Sequence, residues 1–289
     1  MSSMEKGQVD HSYRVYSILL GIIYNLGHSL ILSFLFRSTR LAGETSRTTV
    51  RRYTGDSTPY SFPVTPLYFS TEWAAEPPFT PQDFSRQDEA VDTSFYSKPR
   101  LLYHIDEPAA ASLTQYYRNN IKRGSDILDI CSSWISHYPL EFPDTMGNIC
   151  ATGISANELQ YNEQLTAGYK QADLNAKLQI PYPDNSFDVV TCVVSIDYLI
   201  DPIGALQEVH RVLRQGGKVM ISQSNRYFPT KAIALWLRTN HQEHLDLING
   251  FFKYSGDGFE PRTAFDITAT LPDTNAHPDP VFVVEAIKA

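Results

Sequence analysis

From residue 106 to the C terminus, short apolar runs alternate with segments in which apolar residues recur at helical spacing. The run FDVVTCVVS at 187–195 is apolar and β-branched throughout, which is typical of a strand buried on both faces. The segment 201–213 instead carries its apolar residues on one side of a helix. The same criteria predict further strands at 126–131, 148–151, 169–172 and 218–223, and further helices at 108–121, 155–164, 230–238 and 243–252.

This alternation predicts an α/β fold with a mainly parallel sheet. Two extended runs, 263–269 and 280–287, close the chain without an obvious helix between them, and they are predicted to pair as an antiparallel hairpin. We therefore expect seven strands, of which five are parallel. The last strand is expected to lie between its hairpin partner and the fifth strand.

The first 62 residues have a different pattern. Val15 to Phe36 contains no Asp, Glu, Lys or Arg and is long enough, at roughly 33 Å as a helix, to cross a bilayer. Asn25 and His28 near its centre weaken that interpretation. Arginines follow the run, so a retained anchor would leave the C-terminal body on the cytoplasmic side.

An organellar presequence is the second interpretation of this region. Residues 37–62 are rich in Ser, Thr and Arg and contain only Glu44 and Asp56 as acids, which is typical of transit peptides. An apolar stretch followed by such a segment resembles the two-part plastid presequence of algae with complex plastids. A buried helix of the globular body is a third alternative. We expect residues 1–62 to act as a membrane anchor or presequence outside the folded domain.

Residues 63–94 are rich in both proline and aromatic side chains. Proline excludes a long helix or a central strand, whereas a free linker rarely carries so many aromatics. This stretch is predicted to be an irregular arm that packs in part on the domain formed by residues 95–289.

Composition narrows the classes of function. The net charge of −8 argues against nucleic acid as the main partner, because phosphate binding depends on clustered Lys and Arg. Cys131, Cys150 and Cys192 are widely spaced and form no CxxC pair, so buried free thiols in a reducing compartment are expected. His241 and His244 lack an evident third ligand, and no metal site is predicted.

An ordered block of motifs runs from Asp173 to Gly217. It contains Ile180-Pro181-Tyr182, then Ser186-Phe187-Asp188, then Arg211-Val212-Leu213 before Gly216-Gly217. The block resembles class I S-adenosylmethionine-dependent methyltransferases with a type 11 domain, and the resemblance extends from about Phe95 to the C terminus. It implies a Rossmann-like sheet ending in an antiparallel hairpin, S-adenosylmethionine as cofactor, and a small-molecule or lipid acceptor.

Ligands of open α/β sheets bind beyond the carboxyl ends of the strands. The resemblance implies that Asp173 accepts a hydrogen bond from the adenine amino group and that Asp129 orients the methionine end. Alternatives are a turn cap for Asp173, a strand-end turn for Asp129 and core packing for Trp134. The residues predicted to bind the cofactor are Asp129, Ser132, Ser133, Trp134, Gly153, Asp173, Leu174 and Ser195.

Three features depart from the family pattern. The usual Gly-x-Gly-x-Gly positions hold Cys131, Ser133 and Ile135, within CSSWISHYP. The acidic residue that usually binds the ribose is replaced by Gly153. Pro139 and Pro143 shorten the helix whose N-terminus would hold the cofactor's carboxylate. An SSW loop resembles a branch of methyltransferase-like proteins from cyanobacteria, algae and plants, as do residues 95–106 and 224–236.

Methyl transfer requires alignment of the donor and acceptor and, for some acceptors, removal of a proton. His104 and His137 are the candidate bases, although a lone histidine is more often structural. Tyr198, Asn225 and Arg226 are the candidate acceptor-binding residues, with loop hydrogen bonding as the alternative. An enzyme is expected. The alternative is a non-catalytic binding domain with a degenerate cofactor site, and a nicotinamide oxidoreductase is disfavoured because no GxGxxG follows a predicted strand.

Overall fold

The computed structural model describes residues 59–272 and 277–289. The predicted membrane span at 15–36, and all of the predicted presequence before residue 59, lie outside the described residues. Within the described ranges, no helix is both long enough and apolar enough to cross a membrane.

Eight strands in the described residues form one sheet. They are β1 Thr65–Leu67, β2 Ile127–Ile130, β3 Ile149–Gly153, β4 Tyr169–Gln171, β5 Phe187–Val193, β6 Leu213–Ser224, β7 Phe259–Asp266 and β8 Val281–Lys288. The α-helices of the same ranges are α1 Asp92–Phe95, α2 Glu107–Asn120, α3 Phe142–Thr145, α4 Ala156–Leu159, α5 Pro202–Val212, α6 Ala234–Leu237 and α7 His241–Tyr254. Short 3₁₀ helices occur at Pro81–Phe84 and Ile196–Tyr198.

The strand order is β1-β7-β8-β6-β5-β2-β3-β4. Strands β2 to β6 are parallel to one another, whereas β8 is antiparallel to both β6 and β7. The predicted fold class, the five parallel strands and the insertion of the last strand between its partner and the fifth strand are confirmed. The predicted number of seven strands is wrong, because β1 pairs antiparallel with β7 at the edge of the sheet. A three-residue edge strand tolerates Pro66, which a longer central strand would not.

Successive side chains of each buried strand point to opposite faces of the sheet, so the core is divided between these two faces. Leu128, Ile130 and Val190 face one side, where they pack with α5 and α7. Ile127 and Val189 face the other side, where they pack with α2. Helices on both faces explain why these strands are apolar without interruption.

Helix starts follow the capping residues of the sequence. Asp106 accepts a hydrogen bond from the Ala109 N–H at 3.0 Å, and Asp201 accepts one from the Gly204 N–H at 2.8 Å. Each cap is followed by a proline in the first turn of its helix. Such a cap satisfies one of the free amide groups of the first turn, so α2 and α5 begin where the sequence predicts.

Two predicted helices are much shorter than expected. The helix predicted at 155–164 ends with α4, because Asn162 and Gln164 turn away to hydrogen bond with residues 133–138. The helix predicted at 230–238 is reduced to α6, because Ile233 is extended and forms a β-bridge with Arg86. In both cases a contact that is distant in sequence outweighs local helical propensity.

The arm of residues 63–94 packs along α7. Trp73 donates a hydrogen bond from Nε1 to the Asp246 carbonyl at 3.0 Å, and its ring covers Gly250. A Cβ at residue 250 would lie 2.7 Å from that ring, so only glycine admits the contact. Phe79 and Phe84 continue this aromatic contact against Phe251.

Candidate functional site

A cavity of about 370 Å³ lies at the carboxyl ends of β2 to β6, where the fold places ligands. Its wall is completed by residues from segment 86–105, which precedes the sheet's first parallel strand. The predicted site residues that line this cavity are His104, Asp129, Ser132, Ser133, His137, Gly153, Asp173, Leu174, Ser195, Tyr198, Asn225 and Arg226.

Trp134 is the predicted site residue that does not line the cavity. Its indole Nε1 donates to the Leu102 carbonyl at 3.0 Å, and its ring contacts Tyr103 edge to face at 5.3 Å. Trp134 is half-buried and packs against the segment 102–103 outside the cavity, so it belongs neither to the cavity wall nor to the core. Cys131, expected to be buried, instead lies partly exposed in the cavity wall.

The loop of residues 131–141 crosses the end of β3. Cys131 has a φ of 52°, so its backbone keeps the left-handed conformation that a glycine would favour at this position. The next residue, Ser132, donates its N–H to the Thr152 carbonyl at 2.9 Å. The turn after β2 is thus formed without the glycine.

Gly153 has a packing role in this crossing. A Cβ at residue 153 would lie 2.1 Å from the Ser132 carbonyl oxygen, closer than any side chain allows. An acidic residue therefore cannot replace Gly153 while the loop keeps this path. This explains why the acid that the resemblance implies for ribose binding is missing.

Asp129 lies at the floor of the cavity. Its carboxylate accepts hydrogen bonds from Ser132 Oγ at 2.6 Å and from Thr191 Oγ1 at 3.0 Å. Burial raises the pKa of Asp129 to about 6, against the opposing effect of its hydrogen bonds. Asp129 is therefore ionised at neutral pH and contributes negative charge at the end of β2.

Asp173 follows β4 and makes the turn cap that was its structural alternative. Its Oδ1 accepts from the backbone N–H groups of Asn175 at 3.0 Å and Ala176 at 3.2 Å, which is a turn cap. Its Oδ2 has no hydrogen-bond partner in the part of the chain that the structure describes. That oxygen is available to a donor in the cavity.

The two histidines lie together with Tyr103. His137 is buried, with its ring 5.7 Å from the Tyr103 ring, whereas His104 lies at the more exposed mouth of the cavity. Burial and the neighbouring His104 lower the pKa of His137 to about 4. Burial also lowers the pKa of His104. Burial thus favours the neutral form of both rings, which is the form in which histidine accepts a proton.

Tyr198 and Arg226 make loop contacts, which were their structural alternative, and Asn225 Oδ1 accepts a hydrogen bond from the neighbouring Ser224 Oγ at 3.3 Å. Tyr198 accepts a hydrogen bond at its hydroxyl from the Phe228 N–H at 2.8 Å. Arg226 pairs with Asp279 through Nε at 2.8 Å. All three still line the cavity, next to Phe228, whose ring contacts Phe95, His104 and Tyr198.

Sequence reasoning missed a buried ionic cluster that fixes the wall formed by segment 86–105. Asp92 accepts from Arg86 Nη1 at 2.8 Å and from Asn175 Nδ2 at 2.8 Å, and it pairs with Lys231 Nζ at 3.1 Å. Burial opposes ionisation, but these partners outweigh it and lower the pKa of Asp92. The cluster joins α1 to the loops after β4 and β6.

Glu158 and Arg100 were also missed. Glu158, on α4, is buried in the cavity wall, where its carboxylate accepts from Ser133 Oγ at 3.0 Å and from the Arg100 backbone N–H at 2.7 Å. The signal for Arg100 was its place within the FYSKPRLLYHID segment that carried the resemblance. Among the described residues, no group of three or more His, Cys, Asp and Glu side chains is arranged to hold a metal ion.

Comparison with known proteins finds relatives for the central part of the chain. A model of the methyltransferase domain matches residues 131–221. The demethylmenaquinone methyltransferase of Staphylococcus epidermidis is 31% identical over 112 residues, which cover 37% of this chain and 46% of the relative. The ubiquinone/menaquinone biosynthesis C-methyltransferase UbiE of Bdellovibrio bacteriovorus is 36% identical over 108 residues, covering 35% and 44%.

The chain spans about half the length of the curated relatives it matches. Among solved structures, a SAM-dependent methyltransferase from Aquifex aeolicus aligns over 68% of this chain and 97% of that one, with a TM-score of 0.45 and 15% identity. The family match contains the carboxyl ends of β3, β4 and β5 and the block of motifs that ends at Gly217. Residues 131–221 of the chain are therefore similar to a methyltransferase domain, and the relatives that match this part of the chain are methyltransferases.

Proposed function

We propose that the protein transfers a methyl group from S-adenosylmethionine to a small, largely apolar acceptor. The observation that carries this proposal is that one cavity joins the residues expected at the cofactor to those expected at the acceptor. Asp129 and Asp173 lie in the first group, and Tyr198 and Asn225 lie in the second. Transfer between two bound molecules requires such a shared space.

Unsatisfied polar atoms in the cavity suit the cofactor. Asp173 Oδ2 is a free acceptor for the adenine amino group, and the carboxylate of Asp129 suits the methionine ammonium. Thr152 Oγ1 is buried in the wall without a hydrogen-bond partner in the described structure. When bound, the cofactor supplies a methyl group on an electron-poor sulfur. Gly153 does not supply the ribose contact that the resemblance implies.

His104 is the proposed base, and His137 is the alternative. Burial lowers the pKa of His104 and so favours its neutral imidazole, which can accept the proton that the acceptor loses as the methyl group arrives. Its ring also lies 5.6 Å from the ring of Phe228, on the side of the cavity proposed for the acceptor.

We further propose that the acceptor is a planar molecule of the quinone-precursor class. The relatives are named as quinone methyltransferases, and this cavity presents a cluster of rings around Phe228. Flat aromatic molecules pack favourably against such rings. The alternative is a non-catalytic binding domain, which the substituted glycine loop and Gly153 favour.

We also propose that the segment before residue 59 anchors the domain at a membrane or directs it to an organelle such as a plastid. The support comes from the uncharged run at 15–36 and from the Arg- and Ser-rich stretch after it. An anchor would suit a lipid acceptor, because such a molecule is concentrated in the bilayer.

Calorimetric titration tests cofactor binding, and transfer of labelled methyl groups tests the reaction. We expect the full chain to bind both S-adenosylmethionine and S-adenosylhomocysteine, and to methylate a demethylated quinone presented in detergent. His104→Gln should then lower the rate of transfer while S-adenosylhomocysteine still binds. Binding of neither ligand would overturn the proposal. Binding without transfer to any quinone precursor would favour the non-catalytic alternative.

A further inference from the structure

Arg100 lines the cavity, and its positive charge is paired with no acidic side chain in the described part of the chain. Its guanidinium carbon lies 4.4 Å from the centroid of the Phe95 ring and 5.6 Å from that of Phe228. Its Nη1 donates to the Phe95 carbonyl at 3.1 Å. No carboxylate of the described residues pairs with it, so most of its five donors remain free.

The other cations of the cavity wall are neutralised. Arg86 and Lys231 both pair with Asp92, at 2.8 and 3.1 Å, and Lys231 also pairs with Asp88. Arg226 pairs with Asp279. Among these four cations of the wall, Arg100 is thus the one that pairs with no carboxylate of the described residues.

The backbone of Arg100 is held close to the loop of residues 131–141. Its N–H donates to Glu158 Oε1 at 2.7 Å, and Glu158 Oε2 accepts from Ser133 Oγ at 3.0 Å. Glu158 is only 4% exposed, so this bridge is shielded from water. The stacked rings restrict the guanidinium, which lowers the entropy lost when a ligand binds it.

The same loop lacks the helix that the resemblance implies for holding the cofactor's carboxylate. The first helix after β2 is α3, which has four residues, begins at buried Phe142 and contributes no residue to the cavity wall. A carboxylate near Ser133 would thus have no helix N-terminus to face. Arg100, whose guanidinium lies against Phe95 and Phe228 in the same cavity wall, offers a planar fork that matches a carboxylate.

We propose that Arg100 binds the carboxylate of the methionine part of the cofactor and replaces the missing helix N-terminus. This inference rests on the proposed function. Because the interaction joins two charges, its loss should weaken binding about ten- to a hundredfold. A ligand that lacks the carboxylate should be indifferent to Arg100.

The test compares two ligands across three variants of the full chain by calorimetry. The ligands are S-adenosylhomocysteine and its decarboxylated analogue, which differ only in the carboxylate. We expect Arg100→Gln to weaken the binding of S-adenosylhomocysteine about ten- to a hundredfold and that of the decarboxylated analogue less than about twofold. Arg100→Lys should weaken the binding of S-adenosylhomocysteine less, since lysine keeps the positive charge but lacks the planar guanidinium. Arg262→Gln is the matched control, because it removes a cation that pairs with Glu260 on β7. It should change the affinity for neither ligand.

Several outcomes would overturn the inference. If Arg100→Gln weakens both ligands equally, Arg100 only supports the cavity wall. If it weakens neither, or raises only the KM for the acceptor, Arg100 does not bind the carboxylate. If Arg100→Gln does not fold, the test uses the Arg100→Lys variant and compares how tightly the unmodified chain binds the two ligands. Equal affinity of the unmodified chain for S-adenosylhomocysteine and its decarboxylated analogue would contradict the inference. Failure of the unmodified chain to bind S-adenosylhomocysteine would refute the proposed function as well.

Discussion

Gly153 and the carbonyl of Ser132 are in direct contact, at a distance that leaves no room for a Cβ between them. The Ser132 N–H, bonded to the Thr152 carbonyl at 2.9 Å, fixes the crossing. The path of the loop therefore requires glycine at residue 153, where the family pattern has an acid. The loop passes through the space where the acid's side chain would start.

Restoring the acid should damage the site. We expect Gly153→Asp to lower the free energy of unfolding by about 2 kcal/mol or more, since the new side chain overpacks the crossing. It should also weaken S-adenosylhomocysteine binding. Asn157→Asp adds the same charge on the exposed face of α4. It should change neither the free energy of unfolding nor the binding of S-adenosylhomocysteine. Denaturant unfolding and calorimetry check both, and tighter binding by the Gly153 variant at unchanged stability would contradict this account.

Asp173→Asn should separate the turn cap from the cofactor contact. The amide keeps an oxygen for the N–H groups of Asn175 and Ala176, but it replaces the free acceptor oxygen with a donor. We expect S-adenosylhomocysteine to bind about ten- to a hundredfold more weakly, with little change in the melting temperature. Asp201→Asn, at the cap of α5, is the control and should leave binding unchanged. Unchanged affinity in the Asp173 variant would mean that its role is the cap alone.

The sequence predicted the parallel strands because their burial on both faces makes them apolar without interruption, as in β2 and β5. It also predicted that residues such as Asp129 and Asp173 share one cavity, because the ends of parallel strands meet at one edge of the sheet. It could not predict the short α4, whose end depends on bonds between Asn162 and a loop almost thirty residues earlier.

Long-range packing also explains which site residues the sequence missed. Arg100 and the Asp92 cluster reach the cavity only because segment 86–105 crosses the strand ends, a path that no local pattern encodes. Trp134 was predicted to be a wall residue from its position in the loop alone. Its indole instead bonds with Leu102 of that same segment.

Removing residues 1–58 should leave the domain folded. Residues from Tyr60 onward are tied to it, since Tyr60 hydrogen bonds with Glu107 and Ser61 pairs with Thr270. We expect residues 59–289 to unfold cooperatively and to bind S-adenosylhomocysteine as tightly as the full chain does. The removed segment, fused to a fluorescent protein, should carry it to a membrane or an organelle. Aggregation of the truncated protein, or a much lower melting temperature, would mean that the segment belongs to the core.

Asp197 should make stability depend on pH. Burial raises the pKa of Asp197 to about 8, and its Oδ2 has no partner in the described structure. Between its unfolded pKa near 4 and about pH 8, the folded state binds one proton more than the unfolded state. This contribution to stability is complete at low pH and is lost as the pH rises through 8.

Asp197→Asn removes this titration. The stability of the variant minus that of the unmodified chain should rise between pH 6 and 8, by up to about 1 kcal/mol per pH unit. Denaturant unfolding at several pH values measures this slope. Asp257→Asn, at an exposed acid, should give a curve parallel to that of the unmodified chain. A parallel curve for the Asp197 variant would show that this carboxyl group is not protonated in the folded state at neutral pH.

Ser133→Gly separates the enzyme from the non-catalytic alternative, because it returns one position of the loop to the family's glycine. The Ser133 hydroxyl bonds with Glu158, which in turn holds the backbone of Arg100. If the loop makes the cofactor contacts that the glycines make in the family, losing this bond should loosen Arg100. Binding of S-adenosylhomocysteine should then become weaker or stay unchanged. Ser133→Ala removes the same hydroxyl without adding backbone freedom and should behave alike. Ser186→Gly, in an exposed turn outside the cavity, is the control. If the serine merely obstructs a degenerate pocket, Ser133→Gly should instead tighten binding, and that gain would count against a methyltransferase while leaving the fold as it is.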